Sequence, residues 1–159
     1  GAGIHAARGS VDSGGRFEPG LRLARDGLPT LVLGSDAGAH PPAHLTAAEP
    51  AALRFELMPA DSAGRIDLNA MLRRLAALEC NEALVEAGPR LAGSFLAAGL
   101  ADEIVLYVAP TVLGDTARPA FVLPQPLRAL AERPQYSYHD VRQVGPDLRL
   151  TLRPLETRP

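Results

Sequence analysis

From Ala83 to Leu96 the chain reads Ala-Leu-Val-Glu-Ala-Gly-Pro-Arg-Leu-Ala-Gly-Ser-Phe-Leu. The apolar run over 83–86 has the length of a buried strand, and Glu86 ends it. Gly88 then turns the chain, and Pro89 stands where a helix tolerates proline best, in its first turn. A strand that becomes a helix through a glycine points several free backbone N–H groups at one spot. The helix dipole adds partial positive charge there, so the spot suits a phosphate. The same joint predicts that strands and helices alternate, as in an α/β domain.

Further turn and periodicity signals fill in that frame. Residues 1–10 read as an unstructured or truncated lead-in, and a single domain runs over 11–159. Val11-Asp-Ser-Gly-Gly-Arg reads as a strand end entering a turn. A buried strand is predicted over about 30–33, stopped by Gly34. The Ala-, Pro-, Gly- and His-rich stretch from Ser35 to Pro50 reads as a loop. Leu53-Arg-Phe-Glu-Leu-Met alternates like a strand with one covered face. Asp67 is placed to cap a helix over about 68–79, with Leu68, Met71, Leu72 and Leu75 on its inner stripe and Arg73 and Arg74 outside. A second helix over 89–98 is closed by Gly99. Asp102-Glu-Ile-Val-Leu-Tyr-Val-Ala is a strand stopped by Pro110, and 119–134 is Pro-rich. A hairpin over 136–152 turns at Gly145-Pro146-Asp147. Together these predict an α/β domain with a mixed sheet.

Composition narrows the chemistry. At 159 residues the chain can bury a real core. Its net charge of −2 gives no electrostatic footprint for nucleic acid. There is no lysine, which excludes a Schiff-base or P-loop lysine in this chain. Aromatic content is 4% and Trp is absent, so stacking platforms for bases are scarce. Cys80 is the sole cysteine, so neither an internal disulfide nor a Cys-rich zinc site is available. No apolar run reaches the ~20 residues of a membrane span, and no signal-peptide pattern opens the chain. The expected compartment is the cytoplasm, with no membrane partner.

Among chemistry-bearing residues, Glu86 lies at a strand's carboxyl end, where open α/β sheets bind ligands. A carboxylate there repels phosphate and instead accepts hydrogen bonds from an N–H or hydroxyl. Arg90 either adds charge to an anion site or points into water. The joint itself either binds a phosphate or binds nothing, and its residues alone leave both open. It is not the three-glycine dinucleotide fingerprint. Asp12 and Ser13 offer a carboxylate and a hydroxyl at a turn, to a ligand or to the chain. His40 and His44 are separated by Pro41 and Pro42, which prevents a helical metal pair, and no metal site is expected. His139, Asp102, Glu103 and Arg118 fit structural or solvated positions. No spacing picks out a catalytic nucleophile or a general acid.

The run Leu84-Val-Glu-Ala-Gly-Pro-Arg-Leu-Ala-Gly-Ser-Phe-Leu-Ala-Ala-Gly-Leu-Ala-Asp-Glu-Ile-Val-Leu-Tyr-Val-Ala-Pro-Thr-Val-Leu-Gly resembles the reductase domain of RibD-type riboflavin biosynthesis proteins. The Val11-Asp-Ser-Gly-Gly-Arg strand end and Val144-Gly-Pro-Asp-Leu resemble it too. The resemblance implies a dihydrofolate-reductase-like fold: a mixed, mainly parallel sheet flanked by helices, with a C-terminal antiparallel hairpin. It implies NADPH-dependent reduction of 5-amino-6-(5-phosphoribosylamino)uracil, a small pyrimidine ribosylamine phosphate, to its ribitylamino product. Carried over position by position, Glu86 matches the substrate-contacting glutamate. Gly88, Pro89, Arg90, Leu91, Ala92, Gly93 and Ser94 match the NADPH-contacting turn and helix start, and Ser13 matches a serine near the cofactor. No catalytic acid is carried over.

Two parts of the family pattern have no counterpart here. The H-x-E and P-C-x-x-C deaminase signature does not occur. Nor does the opening of the reductase domain, with its first strand, lysine and Trp-Ile-Thr segment. The expectation is therefore a domain lacking its N-terminal part, with sheet edges that invite pairing as a homodimer or higher homo-oligomer. A competing reading is a catalytically incomplete remnant or oligomerising domain with residual NADPH binding.

Overall fold

The computed structural model describes residues 8–18, 20–38, 53–114 and 117–155. The chain forms two compact units, Gly1–Ala83 and Leu84–Pro159. His40 and His44, and most of the predicted 35–50 loop, lie outside the described residues.

In the first unit, strands β1 (Arg8–Asp12), β2 (Thr30–Ser35) and β3 (Leu53–Met58) form a wholly parallel sheet in the order β1-β2-β3. The register pairs Arg8 with Thr30 and Thr30 with Leu53. Strand β1 begins at Arg8, so the predicted lead-in over 1–10 is too long by Arg8–Ser10. Those residues order because Thr30–Val32 offers them a ladder. Val32 and Leu33 point to opposite faces of β2 and both are buried, so the middle strand is covered on both sides. Phe17, Val32 and Leu53 form the core of one face, joined by Leu23 and Ala24 of the short helix α1 (Arg22–Arg25) and by Phe55. At the amino end of the sheet, Arg8 donates to both Asp26 carboxylate oxygens, at 2.6 and 2.8 Å, and to the Thr30 hydroxyl. The Arg8 bonds, helped by the Leu28 N–H, hold the Asp26 carboxyl at about 2.

Helix α2 (Leu68–Ala77) starts as its sequence demands: the Asp67 carboxylate accepts the Ala70 N–H at 3.0 Å. Met71 is buried, and Leu68, Leu72 and Leu75 are half-buried, on one stripe. Arg74 departs from its predicted outside position. It is half-buried and grips Glu56 of β3 with two hydrogen bonds, at 2.6 and 2.8 Å. That grip holds the Glu56 carboxyl below its ordinary range.

The second unit contains helix α3 (Pro89–Ala97) and strands β4 (Ile104–Val108), β5 (Tyr136–Val144) and β6 (Asp147–Pro154). The strands form an antiparallel sheet in the order β4-β6-β5, and a short 3-10 turn covers Leu130–Glu132. The hairpin turns on Gly145 and Pro146. Gly145 has φ +60°, which with proline's fixed φ suits a type II′ turn, the hand that matches strand twist. His139 is the extra residue of a β-bulge between Tyr138 and Asp140, and it is exposed.

The strand predicted over 83–86 does not form. The segment belongs to no ladder among the described residues, and Leu84 is 82% exposed. A strand exists only through hydrogen bonds to a neighbour, so an apolar run without one stays irregular. The parallel strands, flanking helices and antiparallel hairpin expected of the fold are all present. The parallel and antiparallel portions occur as separate three-stranded sheets.

Candidate functional site

Helix α3 begins on Gly88, with φ −65° and ψ 166°, and Pro89 occupies the first turn. The first hydrogen bond that closes the helix runs from the Ala92 N–H to the Gly88 carbonyl, at 3.2 Å. Pro89 has no N–H. The N–H groups of Arg90 and Leu91 therefore precede the ladder, and neither has a partner among the described residues. No side chain caps this helix start, and its first turn holds no acidic residue. Nothing lies within 4 Å of the position a Cβ on Gly88 would take. An uncapped, positively polarised and open helix start of this kind suits an anion.

The other residues singled out around it have distinct situations. Glu86 is exposed, and its carboxylate has no hydrogen-bond or ion-pair partner among the described residues. Arg90 is exposed, while Pro89, Leu91 and Ala92 are half-buried. The Ser94 hydroxyl donates to the Arg90 carbonyl at 3.0 Å, one turn back in its own helix. Gly93 is buried against the backbone of Val122, so a Cβ at Gly93 would overlap the Val122 carbonyl. The Val122 N–H donates to the Pro89 carbonyl at 2.9 Å. The sequence carries no sign of this contact, because Val122 makes it with backbone atoms and no side chain announces it.

Ser13 and Asp12 belong to the first unit. The Asp12 carboxylate accepts the N–H groups of Arg16, at 2.9 Å, and Phe17, at 2.6 Å. Of the two possible users of Asp12, ligand or chain, the chain has it: the carboxylate folds the Ser13–Gly15 turn and seats Phe17 in the core. The Ser13 hydroxyl oxygen accepts the Ile66 N–H at 3.3 Å, which leaves its own proton to donate. The carboxyl ends of β2 and β3 are tied in the same way. Ser35 donates to the Gly64 carbonyl at 3.0 Å, and Asp36 accepts the Ala60 N–H at 2.9 Å. Asp61 accepts from Ala63 and Arg65, and its carboxyl lies below the ordinary range chiefly through the Arg65 N–H.

Among the described residues no group of His, Cys, Asp and Glu is placed to hold a metal ion. No described helix is long and apolar enough to cross a membrane. Arg118 is exposed, and Glu103 pairs with Arg153 at 3.1 Å.

The family model of the RibD C-terminal domain matches residues 11–150. The riboflavin biosynthesis protein RibD of Escherichia coli (strain K12) is 43% identical over 103 residues, covering 65% of this chain and 28% of that protein. The 5-amino-6-(5-phosphoribosylamino)uracil reductase of Buchnera aphidicola subsp. Acyrthosiphon pisum is 32% identical over 99 residues, covering 62% of this chain and 47% of the relative. The chain thus spans less than half the length of either relative. Among solved structures, a deaminase/5-amino-6-(5-phosphoribosylamino)uracil reductase from Thermotoga maritima superposes with a TM-score of 0.66 at 18% identity. That superposition covers 94% of this chain and 38% of the other. The dihydrofolate-reductase-like α/β fold expected of the chain is the fold it has.

Proposed function

Because the chain belongs to the RibD C-terminal domain family, we propose that it carries the reductase step of riboflavin biosynthesis, in the cytoplasm. The substrate is 5-amino-6-(5-phosphoribosylamino)uracil, the product is its ribitylamino counterpart, and the reductant is NADPH. The observation that carries this reading is the helix start at Gly88–Leu91, uncapped and free of acid, inside the segment that matches the family. A dinucleotide diphosphate fits it: the Arg90 and Leu91 N–H groups donate, and Arg90 adds a full positive charge. Pro89, Ala92, Gly93 and Ser94 complete the turn that carries those donors. In the first unit the Ser13 hydroxyl keeps a proton to donate, and its assignment to the cofactor rests on the family resemblance. When bound, the nicotinamide supplies the hydride that reduces C1′ of the ribosyl group in its opened imine form.

The chain's own part in that chemistry is binding and alignment. Glu86 repels phosphate, so it takes the neutral polar side of the pyrimidine, where a free carboxylate accepts N–H or O–H. Bringing donor and acceptor carbon into register supplies the rate, with no nucleophile on the chain.

Fluorescence titration with NADPH, followed by turnover of the pyrimidine, tests the reading. Micromolar binding with turnover supports it, and absence of binding overturns it. A second reading, a catalytically incomplete domain that keeps NADPH affinity, is favoured by the exposed Leu84 and Val85 where a strand was expected. Binding without turnover selects it.

We also assign a second copy of the chain to the antiparallel sheet, as a homodimer or higher homo-oligomer. The register puts exposed Val105 and Tyr107 on the same face as Asp140, Arg149 and Thr151. Asp140 pairs within the chain with Arg142, at 3.3 Å, and Arg149, at 3.9 Å, so the face offers a second copy its exposed apolar residues between balanced charges. Arg149 Nε and Thr151 Oγ1 are buried there without hydrogen-bond partners among the described residues. A monomer mass in sedimentation equilibrium removes this assignment.

A further inference from the structure

Where helix α3 meets the chain that follows β4 at Val122, a backbone lies on a glycine. Gly93 sits one turn beyond Pro89. The helical face exposed by its missing side chain is filled by Val122, and the Cβ of any other residue would meet the Val122 carbonyl, carbonyl carbon and nitrogen. All of these are backbone atoms, so no side-chain rotation relieves the overlap. The Val122 N–H also donates to the Pro89 carbonyl at 2.9 Å. Phe121 and Leu123 on either side are half-buried, while the Val122 side chain is exposed. The segment is therefore held to the helix by its main chain at Val122.

We propose that Gly93 is a positioning residue for the ligand-binding start of α3. By seating Val122, it lets residues 121–123 strap the helix's first turn and fix where the Arg90 and Leu91 N–H groups point. The strap matters because that turn has no side-chain cap. Gly88 offers no capping side chain, and Pro89 contributes no N–H. A helix start left open for a ligand frays unless something else holds it, and fraying spreads the direction of the very donors the ligand needs. The Val122–Pro89 hydrogen bond supplies the hold from the side, without covering those donors. Gly93 touches no ligand in this account and acts only through the strap. This inference rests on the proposed use of the helix start for a dinucleotide, and it adds what keeps that start in place.

The test combines amide hydrogen exchange with dinucleotide binding and steady-state kinetics, on wild type, Gly93→Ala and Val122→Pro. Val122→Pro changes no helix residue, removes the donated N–H and sets the ring Cδ against the Pro89 carbonyl, so it unseats the strap and serves if Gly93→Ala does not fold. In wild type, inorganic pyrophosphate slows exchange at Arg90 and Leu91. In either variant that protection is lost and exchange at Arg90–Ala92 speeds up. The dissociation constant for NADPH rises about tenfold, while kcat at saturating NADPH stays within about twofold. A merely structural glycine would lower stability and leave that KM-against-kcat split unmoved. Unchanged exchange and unchanged affinity in a folded variant overturn the inference. So does faster exchange with unchanged affinity, which makes the strap structural only. If wild type binds neither NADPH nor pyrophosphate, the proposed dinucleotide site fails first, and the positioning role fails with it. Exchange at Val122 then still reports whether the strap is seated.

Discussion

Helix α2 starts on Asp67, whose carboxylate accepts the Ala70 N–H at 3.0 Å, whereas helix α3 starts on Gly88, which has no side chain to offer. At their other ends the two helices use one motif. In α2 the Cys80 N–H reaches back to the Leu75 carbonyl, and in α3 the Leu100 N–H reaches back to that of Phe95. The residue that turns the chain there has a positive φ in both, +62° at Glu79 and +65° at Gly99. One helix is closed by its own carboxylate at the start and carries a strained residue at the end. The other is relaxed at the end and open at the start. A cap is worth about 1 kcal/mol, so leaving it out of α3 forgoes stability at one particular place. The reading that accounts for this is an external anion that does at Gly88 what Asp67 does in α2.

The sharpest way to break this contrast is to give α3 the cap that α2 has. Gly88 has an ordinary extended conformation and free space where a Cβ would go, so Gly88→Asp should fold with its melting temperature unchanged or raised. The new carboxylate would take the N–H groups proposed to hold a diphosphate and would repel its charge. NADPH affinity should fall about a hundredfold or more, since facing like charges costs several kcal/mol. Unaltered NADPH affinity in a folded Gly88→Asp protein would falsify the assigned site.

Glu86 gives the next largest effect. It lies beside the open helix start yet caps nothing. Replacing it with glutamine keeps the shape and removes the charge. Pyrimidine affinity should fall about tenfold, the usual loss for a hydrogen bond to an ionised group. NADPH affinity should stay within about twofold. A parallel fall in both would make Glu86 a structural residue and leave the anion site without its neighbouring substrate contact.

The features that agreed between sequence and structure are those whose cause lies within a few residues. Asp67 caps a helix because the donor it needs is three positions away, and Gly145-Pro146 makes a hairpin turn with its own dihedrals. The Asp12 turn is legible as a turn, whereas the donors to its carboxylate, the Arg16 and Phe17 N–H groups, emerge only from the fold. The disagreements have distant causes. Residues 83–86 have every strand propensity but no ladder partner among the described residues, and no pattern inside the segment reports that. Arg74 sits where helical periodicity puts it outside, yet Glu56 on a strand 18 positions earlier draws it inward. The requirement for glycine at position 93 comes from Val122, which contributes only main-chain atoms. Of the candidate site, the helix start and its glycine were readable, while the strap that holds it was not.

Asp67→Ala tests the closed helix by the opposite operation. It should destabilise the protein by about 1 kcal/mol in urea unfolding, as loss of an Asp cap does. NADPH affinity should be unmoved, because this start is committed to the fold. A fall in affinity as large as that of Gly88→Asp would mean that the two helix starts are not different in kind.

The smallest effect is at the helix ends, and its sign is the informative part. A non-glycine residue in the left-handed region carries roughly 1–2 kcal/mol of backbone strain. Replacing Glu79 with glycine removes that strain but loosens the unfolded chain, which costs roughly 0.5–1 kcal/mol. The two leave a net gain of about 0.5–1 kcal/mol for Glu79→Gly in urea unfolding. Gly99→Ala should move stability the other way by a similar amount, since φ is +65° there and nothing lies within 4 Å of an added Cβ to offer a compensating contact. Neither change should alter NADPH affinity, because both act at helix C-termini and leave the Arg90 and Leu91 N–H groups as they are. Equal and opposite shifts would show that both helix ends answer to backbone conformation alone. The contrast between α2 and α3 would then be confined to their starts, where one helix has a carboxylate and the other has room for a phosphate.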